Sequence, residues 1–289
     1  MRFRTGLGLV ALGGLAGVVL ERERRVQRAT NQWQRRLVTL ATTVARERAE
    51  DPAPFVGTND PLLAVVIPAY READSICDVL AELPAMLEGL RVLPIVVDDG
   101  GGDATAEVAR AAGAYVVQHP VNLGQGEALR TGFAVALDLG AEIVVTMDAD
   151  GQHRPDELVT LVKPVVVGDA DYVQGSRFLG EYDDAGGMRH KGIEIFTRLI
   201  NLVSGAGITD CTNGYRAIRA TGLSRLTLVE SRFNAPELII ESARHGLRIQ
   251  EVPVHIRSRE FGESKKPKGL GYPLGFLRVI VQTRFRREA

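Results

Sequence analysis

The stretch AEIVVTMDADGQH, residues 141–153, decides how the rest of the chain is read. Ile143, Val144 and Val145 run apolar without alternation, the pattern of a strand buried on both faces, and the run closes on Asp148, Asp150 and Gln152. Asp148-Ala-Asp150 puts two carboxylates in one turn, with the amide oxygen of Gln152 close behind. Adjacent carboxylates are costly unless a cation or hydrogen-bond donors meet them. Hard oxygen donors suit Mg²⁺ or Mn²⁺ rather than zinc, and a cation held by few protein oxygens shares its remaining positions with water and substrate phosphate. Alone, a DxD is a weak sign, because turns and helix caps also produce it.

The neighbouring segments repeat the plan. LLAVVIPAY (62–70), LPIVVDDG (93–100) and AYVVQH (114–119) read as buried strands, the first ending at Pro68. Helices are expected over 74–90, 104–112 and 124–139. Apolar strands separated by helices predict a mostly parallel sheet covered on both faces, with ligands beyond the carboxyl ends of the strands. Those ends are polar: Pro68, Tyr70 and Glu72 after the first, Asp98 and Asp99 after the second. Gly124 and Gly126 open the third helix, where missing side chains let a ligand approach the backbone and a helix N-terminus favours an anion. No GxGxxG follows the first strand and no GxxxxGK[ST] occurs, which excludes the dinucleotide-binding and P-loop readings.

The 289 residues are 45% hydrophobic and 25% charged, which excludes disorder, collagen and coiled coil for the chain as a whole. Cys77 and Cys211 form no CxxC pair, so a reduced, cytosol-facing domain is the default. The net charge of −1 hides a segregation. Residues 1–48 carry ten Arg against three Glu (+7), and residues 244–289 carry eight Arg and three Lys against four Glu (+7). Residues 49–243 hold 14 basic and 29 acidic side chains (−15). An acidic body between basic ends argues against nucleic acid and fits ends that meet an anionic membrane surface, or two solvated basic helices.

Residues 5–20 (TGLGLVALGGLAGVVL) are uncharged and as a helix would span about 24 Å, short of the roughly 30 Å hydrocarbon core. A short anchor or half-inserted helix is expected, and the flanking arginines would keep the bulk of the chain cytoplasmic. Val26, Trp33, Leu37, Leu40 and Val44 then form one helical stripe, either interfacial or packed on the body. The expected organisation is therefore an anchor and basic amphipathic helix (1–48), a linker (49–61), a catalytic domain (62–266) and a C-terminal basic amphipathic helix (267–289).

Taken in order, VVIPAYREADSI (65–76), VVDDGGGDAT (96–105), NLGQGEALRTG (122–132), DADGQH (148–153), GSRF (175–178) and DCTNGYRA (210–217) resemble the motifs of family 2 glycosyltransferases with the GT-A fold. The order is similar to dolichol-phosphate mannose synthase and the polyprenyl-phosphate glucosyltransferases, over about Leu62 to Lys266. The resemblance implies an inverting hexosyltransferase moving mannose or glucose from a GDP- or UDP-sugar to a polyprenyl phosphate at the cytoplasmic membrane face. It places Pro68, Tyr70, Glu72, Asp98, Asp99, Gly124, Gly126 and Asp148 around the nucleotide sugar, with Asp99 on the base, and Asp148, Asp150 and Gln152 on Mg²⁺ or Mn²⁺. Arg177 and Arg189, the latter in the loop EYDDAGGMRHKG, join Asp148 and Asp150 as catalytic residues. Arg177, Arg189, Arg257, Ser264 and Lys265 would grip the acceptor phosphate. A small integral-membrane partner is a further expectation.

The chain departs from the family pattern at Arg71, Gly101 and Gln125, the last standing where a phosphate-contacting Lys is frequent. Two rival readings remain. A sugar-hydroxyl acceptor, in cell-envelope polysaccharide or glycolipid synthesis, would need a carboxylate base, for which Asp210, Glu237 and Glu241 are the candidates, although the two glutamates read more simply as a solvated helix face. An inactive nucleotide-sugar-binding subunit that recruits a partner to the membrane is the other.

Overall fold

A computed structural model describes residues 60–180, 187–257 and 271–286. The segments expected to form an N-terminal anchor, an amphipathic stripe and a linker lie, but for residues 60 and 61, outside the described residues. The first strand, β1 (Leu62–Ala69), is the centre of the molecule. Leu62, Ala64 and Val66 feed one apolar layer and Leu63, Val65 and Ile67 the other, so a continuous apolar run is what a strand with two covered faces requires.

Around it the chain lays down α1 (Ile76–Ala81), β2 (Met86–Leu87), β3 (Leu90–Asp98), α2 (Thr105–Ala111), β4 (Tyr115–Gln118), α3 (Gln125–Asp138) and β5 (Ala141–Thr146). There follow α4 (Leu158–Val166), β6 (Tyr172–Ser176), α5 (Gly187–Ser204), β7 (Arg216–Arg219), α6 (Ala220–Leu223), α7 (Asn234–Arg244), β8 (Ile249–Pro253) and α8 (Gly271–Arg284). The sheet order is β2-β3-β1-β5-β7-β6-β8, with β4 also on β3. Pairs β1/β3, β1/β5, β3/β4 and β6/β8 are parallel, whereas β7 runs antiparallel to both its neighbours. Helices α1, α2 and α4 cover one face; α3, α5, α7 and α8 cover the other.

Three expectations are corrected. The helix read over 74–90 stops at Ala81, because Pro84 offers no N–H and the chain turns at Glu88 (φ 50°) and Gly89 (φ 80°) into the β2/β3 hairpin. DCTNGYRA, which the resemblance implies to be a turn before a helix, leads instead into strand β7 and only then into the single turn of α6. Arg189 sits in the first turn of α5, not in a loop.

The C-terminal helix α8 packs its Phe276 and Ile280 into the layer that α5 and α7 also fill, and its Val279 is buried as well. Its Leu274, Leu277, Val281 and Phe285 side are exposed. Among the described residues no helix is long and apolar enough to cross a membrane.

Candidate active site

The pairing registers bring many chain segments to one edge. Ala69 pairs with Asp98, Asp98 with Gln118, Thr146 with Arg216, and Ser176 with Pro253. The segments after β1, β3, β4, β5, β6 and β8 and the segment before β7 therefore meet along the carboxyl-end edge, where open α/β sheets place ligands.

At its middle lies the turn after β5. The N–H of Asp148 donates to His153 Nδ1 at 3.0 Å, which leaves Nε2–H to face Asn213 Oδ1 at 3.1 Å; the ring stacks on Tyr215 at 4.8 Å. Both ring nitrogens are occupied and the ring is buried, so His153 shapes the turn and is no metal ligand. Asp148 itself is 35% exposed, with Oδ1 accepting from the Gln125 side chain at 3.1 Å. Beside it Gly214 carries no Cβ, and one there would stand 3.0 Å from Asp148 Oδ2. Asp150 Oδ1 accepts the Gln152 N–H at 3.1 Å. Gln152 gives its amide nitrogen to the Arg257 carbonyl at 3.1 Å, and the Arg257 N–H donates to the Gln152 carbonyl at 2.9 Å.

These donors fit a divalent cation of the Mg²⁺ or Mn²⁺ type: two partly exposed carboxylates and an amide whose nitrogen is already engaged, next to space kept bare at Gly214. Among the described residues no three His, Cys, Asp or Glu side chains converge into a cage. A cation here would have to complete its shell with oxygens from its ligand.

The β3 end is organised differently. Asp98, fully buried, accepts from the Gly101 N–H at 3.1 Å and from Gln118 Nε2 at 2.9 Å. Asp99 accepts from the N–H groups of Leu123 (2.9 Å) and Gly124 (2.8 Å) and lies 2.7 Å from His119 Nδ1, whose Nε2 reaches Thr131 at 3.0 Å. Both carboxylates thus brace the loops that lead to the edge. What approaches Gly124 and Gly126 is the chain itself. The Gly126 N–H donates to the Ser231 carbonyl at 2.7 Å, and a Cβ on Gly124 would lie 2.6 Å from that oxygen. A Cβ on Gly126 would overlap the Glu230 carbonyl. Gly126→Ala is expected to lower stability by roughly 1–3 kcal/mol, read as a drop in melting temperature with the α/β circular-dichroism signature retained.

Arg177 reaches the same edge but is engaged. Its Nε and Nη2 meet Asp210 Oδ2 and Oδ1 at 2.7 and 2.9 Å, and Nη2 also donates to Thr212 at 2.5 Å, with Arg177 and Asp210 both buried. Burial works to raise the Asp210 pKa, but the hydrogen bonds and charge of Arg177 outweigh it and hold the carboxyl below its ordinary value. Asp210 is therefore a poor base. Arg216 is buried at the start of β7, with Nε on Gln174 at 3.1 Å. Arg257 differs: its guanidinium makes a partly exposed pair with Glu82 at 3.2 Å, beside the Gln152 turn. Exposed pairs are worth about 0–1 kcal/mol and exchange readily for a better anion.

Glu237 and Glu241 are not a solvated face. Both are buried: Glu237 accepts the N–H groups of Val229 and Glu230 (2.9 Å each) and pairs with Arg286 at 2.6 Å, and Glu241 pairs with Arg244 at 2.8 Å. Ser264 and Lys265 lie outside the described residues. Sequence reasoning passed over Ser75, whose hydroxyl donates to the Ala149 carbonyl at 2.8 Å and so ties the segment after β1 to the Asp148–Asp150 turn. It noted Gln125 only as a departure; nothing local in the sequence ties it to Asp148.

A parallel-centred sheet with an open carboxylate pair at its carboxyl-end edge is where an α/β enzyme would hold a phosphorylated ligand through a divalent cation. The comparisons agree. The chain belongs to glycosyl transferase family 2, whose family model matches residues 64–227, and the protein is a glycosyltransferase. It is similar to the undecaprenyl-phosphate mannosyltransferase of Micrococcus luteus (34% identity, 71% of this chain, 87% of the relative). It is similar also to the dolichyl-phosphate hexose transferase of Haloferax volcanii (32% identity, 78% of this chain, 96% of the relative). Among solved structures, glucosyl-3-phosphoglycerate synthase from Mycobacterium tuberculosis, in complex with Mn²⁺, UDP and glucosyl-3-phosphoglycerate, superposes with TM-score 0.60 at 26% identity, covering 77% of this chain and 78% of that one.

Proposed function

We propose that the protein transfers a hexose from a GDP- or UDP-sugar to a polyprenyl phosphate at the cytoplasmic membrane face, with Mg²⁺ or Mn²⁺ held by Asp148, Asp150 and Gln152. The observation that carries the choice of acceptor is the state of the candidate bases. Asp210 is locked to Arg177 with its pKa lowered, and Glu237 and Glu241 are buried in ion pairs. None can relay a proton from a sugar hydroxyl, whereas a phosphate oxygen is already anionic and needs no base. The relatives named above act on undecaprenyl and dolichyl phosphates, which supports the same reading. An intact Asp148–Asp150 pair argues against an inactive recruiting subunit.

In this reading the acceptor phosphate oxygen attacks the anomeric carbon, the bond to the nucleoside diphosphate breaks, and configuration inverts. The cation, when bound, neutralises charge on the leaving diphosphate. The rest is positioning and electrostatics. Pro68, Tyr70 and Glu72 border the nucleotide, and Asp98 and Asp99 hold the loops that form its pocket. Arg257 exchanges Glu82 for phosphate, and Arg189, Ser264 and Lys265 remain acceptor-side proposals. Arg177 serves the acceptor side only by fixing the backbone around Asp210. The exposed Leu274, Leu277 and Val281 of α8 and Phe285 just past its end, with Arg278 and Arg284 on the same outer side, supply an apolar and basic face for an anionic membrane surface.

The test is a transfer assay with purified protein, Mn²⁺ or Mg²⁺, labelled GDP- and UDP-hexoses and a short polyprenyl phosphate. Label is expected in the organic phase, and to be lost with chelator. Donor hydrolysis without lipid product would redirect the reading to a hydroxyl acceptor, and nucleotide-sugar binding without turnover to the recruiting subunit.

A further inference from the structure

The C-terminal helix is joined to the donor edge by a continuous set of short contacts. Arg286, just past the end of α8, is buried at its guanidinium: Nη2 meets Glu237 Oε1 at 2.6 Å and Nη1 donates to the Thr227 carbonyl at 2.6 Å. Glu237 in turn accepts the N–H groups of Val229 and Glu230. The next carbonyl, Ser231, receives the Gly126 N–H at 2.7 Å, in a contact so close that neither Gly124 nor Gly126 has room for a Cβ. Between those glycines stands Gln125, whose side chain donates to Asp148. Leu123 and Gly124 also anchor Asp99.

We propose that Arg286 and Glu237 are positioning residues for the donor site. By clamping the 227–231 loop they seat the first turn of α3, and Gln125 carried on that turn orients the Asp148 carboxylate. Neither residue touches a reacting group. The charges near the clamp include those of Glu230, Glu241, Arg244, His245 and Arg130, the last lining one cavity with Glu230 and Glu237, and Arg278 meets Glu230 at 3.1 Å. A buried ion pair is expensive unless both ions are fully bonded, and here each has several partners. The arrangement makes α8 part of the site's support, so the helix whose outer face is proposed to meet the membrane also fixes the geometry within.

The proposal rests on the donor reading above, so its first test needs no ligand. Hydrogen–deuterium exchange is compared for the full-length wild type, Arg286→Gln, Arg286→Lys and the neutral double variant Glu237→Gln/Arg286→Gln. In Arg286→Gln, exchange over 122–130 is expected to rise with that over 227–232, by about tenfold, while β1 and β6 stay as in wild type. The Lys variant and the neutral pair should recover much of the protection. The second test reads donor KM against kcat in the transfer assay, expecting donor KM to rise by about tenfold, kcat to change little, and acceptor KM to hold. Loosening of 227–232 with 122–130 unchanged would overturn the proposal. So would donor and acceptor KM rising in step, which marks a general loss of structure. If the wild type transfers no sugar at all, the donor reading fails while the exchange result still decides the clamp.

Discussion

With Asp150 replaced by alanine, hexose transfer is expected to fall about a thousandfold, some 4 kcal/mol of transition-state stabilisation. In the turn itself the substitution removes the acceptor for the Gln152 N–H, worth about 1 kcal/mol. The functional loss is large because the carboxylate is one of two at the edge where the diphosphate would lie, and a cation held there would oppose the charge that develops on the leaving group. Chelating the wild type should reproduce the same loss, and excess Mn²⁺ should restore the wild type but not the variant. The readouts are kcat/KM for the nucleotide sugar and far-UV circular dichroism on the same samples. An Asp150→Ala protein retaining a tenth or more of wild-type transfer, still abolished by chelator, would move the cation off this residue.

What was legible in the sequence follows the range of the interactions. The central strands declared themselves because each must be apolar on both faces, and the shared turn of Asp148, Asp150 and Gln152 because they are neighbours in the chain. The helix read over 74–90 failed for an equally local reason. Leu80, Leu83, Leu87 and Leu90 recur at helical spacing, yet only Leu80 stays in α1; Pro84 and the positive φ at Glu88 and Gly89 put Leu87 and Leu90 in a hairpin that reaches the same core layer. Roles set by distant partners were out of reach. Arg177 reads as a free cation after a strand until Asp210, 33 positions on, takes its Nε and Nη2. Glu237 and Glu241 look solvated at i, i+4 until Arg286, 49 positions beyond Glu237, is found between them. Gly124 and Gly126 suggest a ligand; the structure fills that space with Ser231.

The same pair gives the second large effect. Arg177→Ala removes the cation from a carboxylate with no exposed surface, and breaking a buried pair from one side costs about 3–5 kcal/mol. For a chain of this size the melting temperature should drop by roughly 10 °C. The pH dependence fixes the cause. The Asp210 pKa is held below its ordinary value, so its contribution is fully present above the unfolded value of about 3.9 and is lost as pH falls through the depressed folded value. In Arg177→Ala burial acts on Asp210 unopposed by its cation, and the pKa should rise. The variant's deficit should then be largest near neutrality and shrink as the pH approaches 4. Arg177→Met with Asp210→Leu should recover much of the stability by removing both ions together. If Arg177 instead gripped phosphate directly, Arg177→Lys would reduce acceptor kcat/KM while leaving the melting temperature alone. Paired melting curves at neutral and acid pH, read beside acceptor KM, separate a clamp from a phosphate-binding residue.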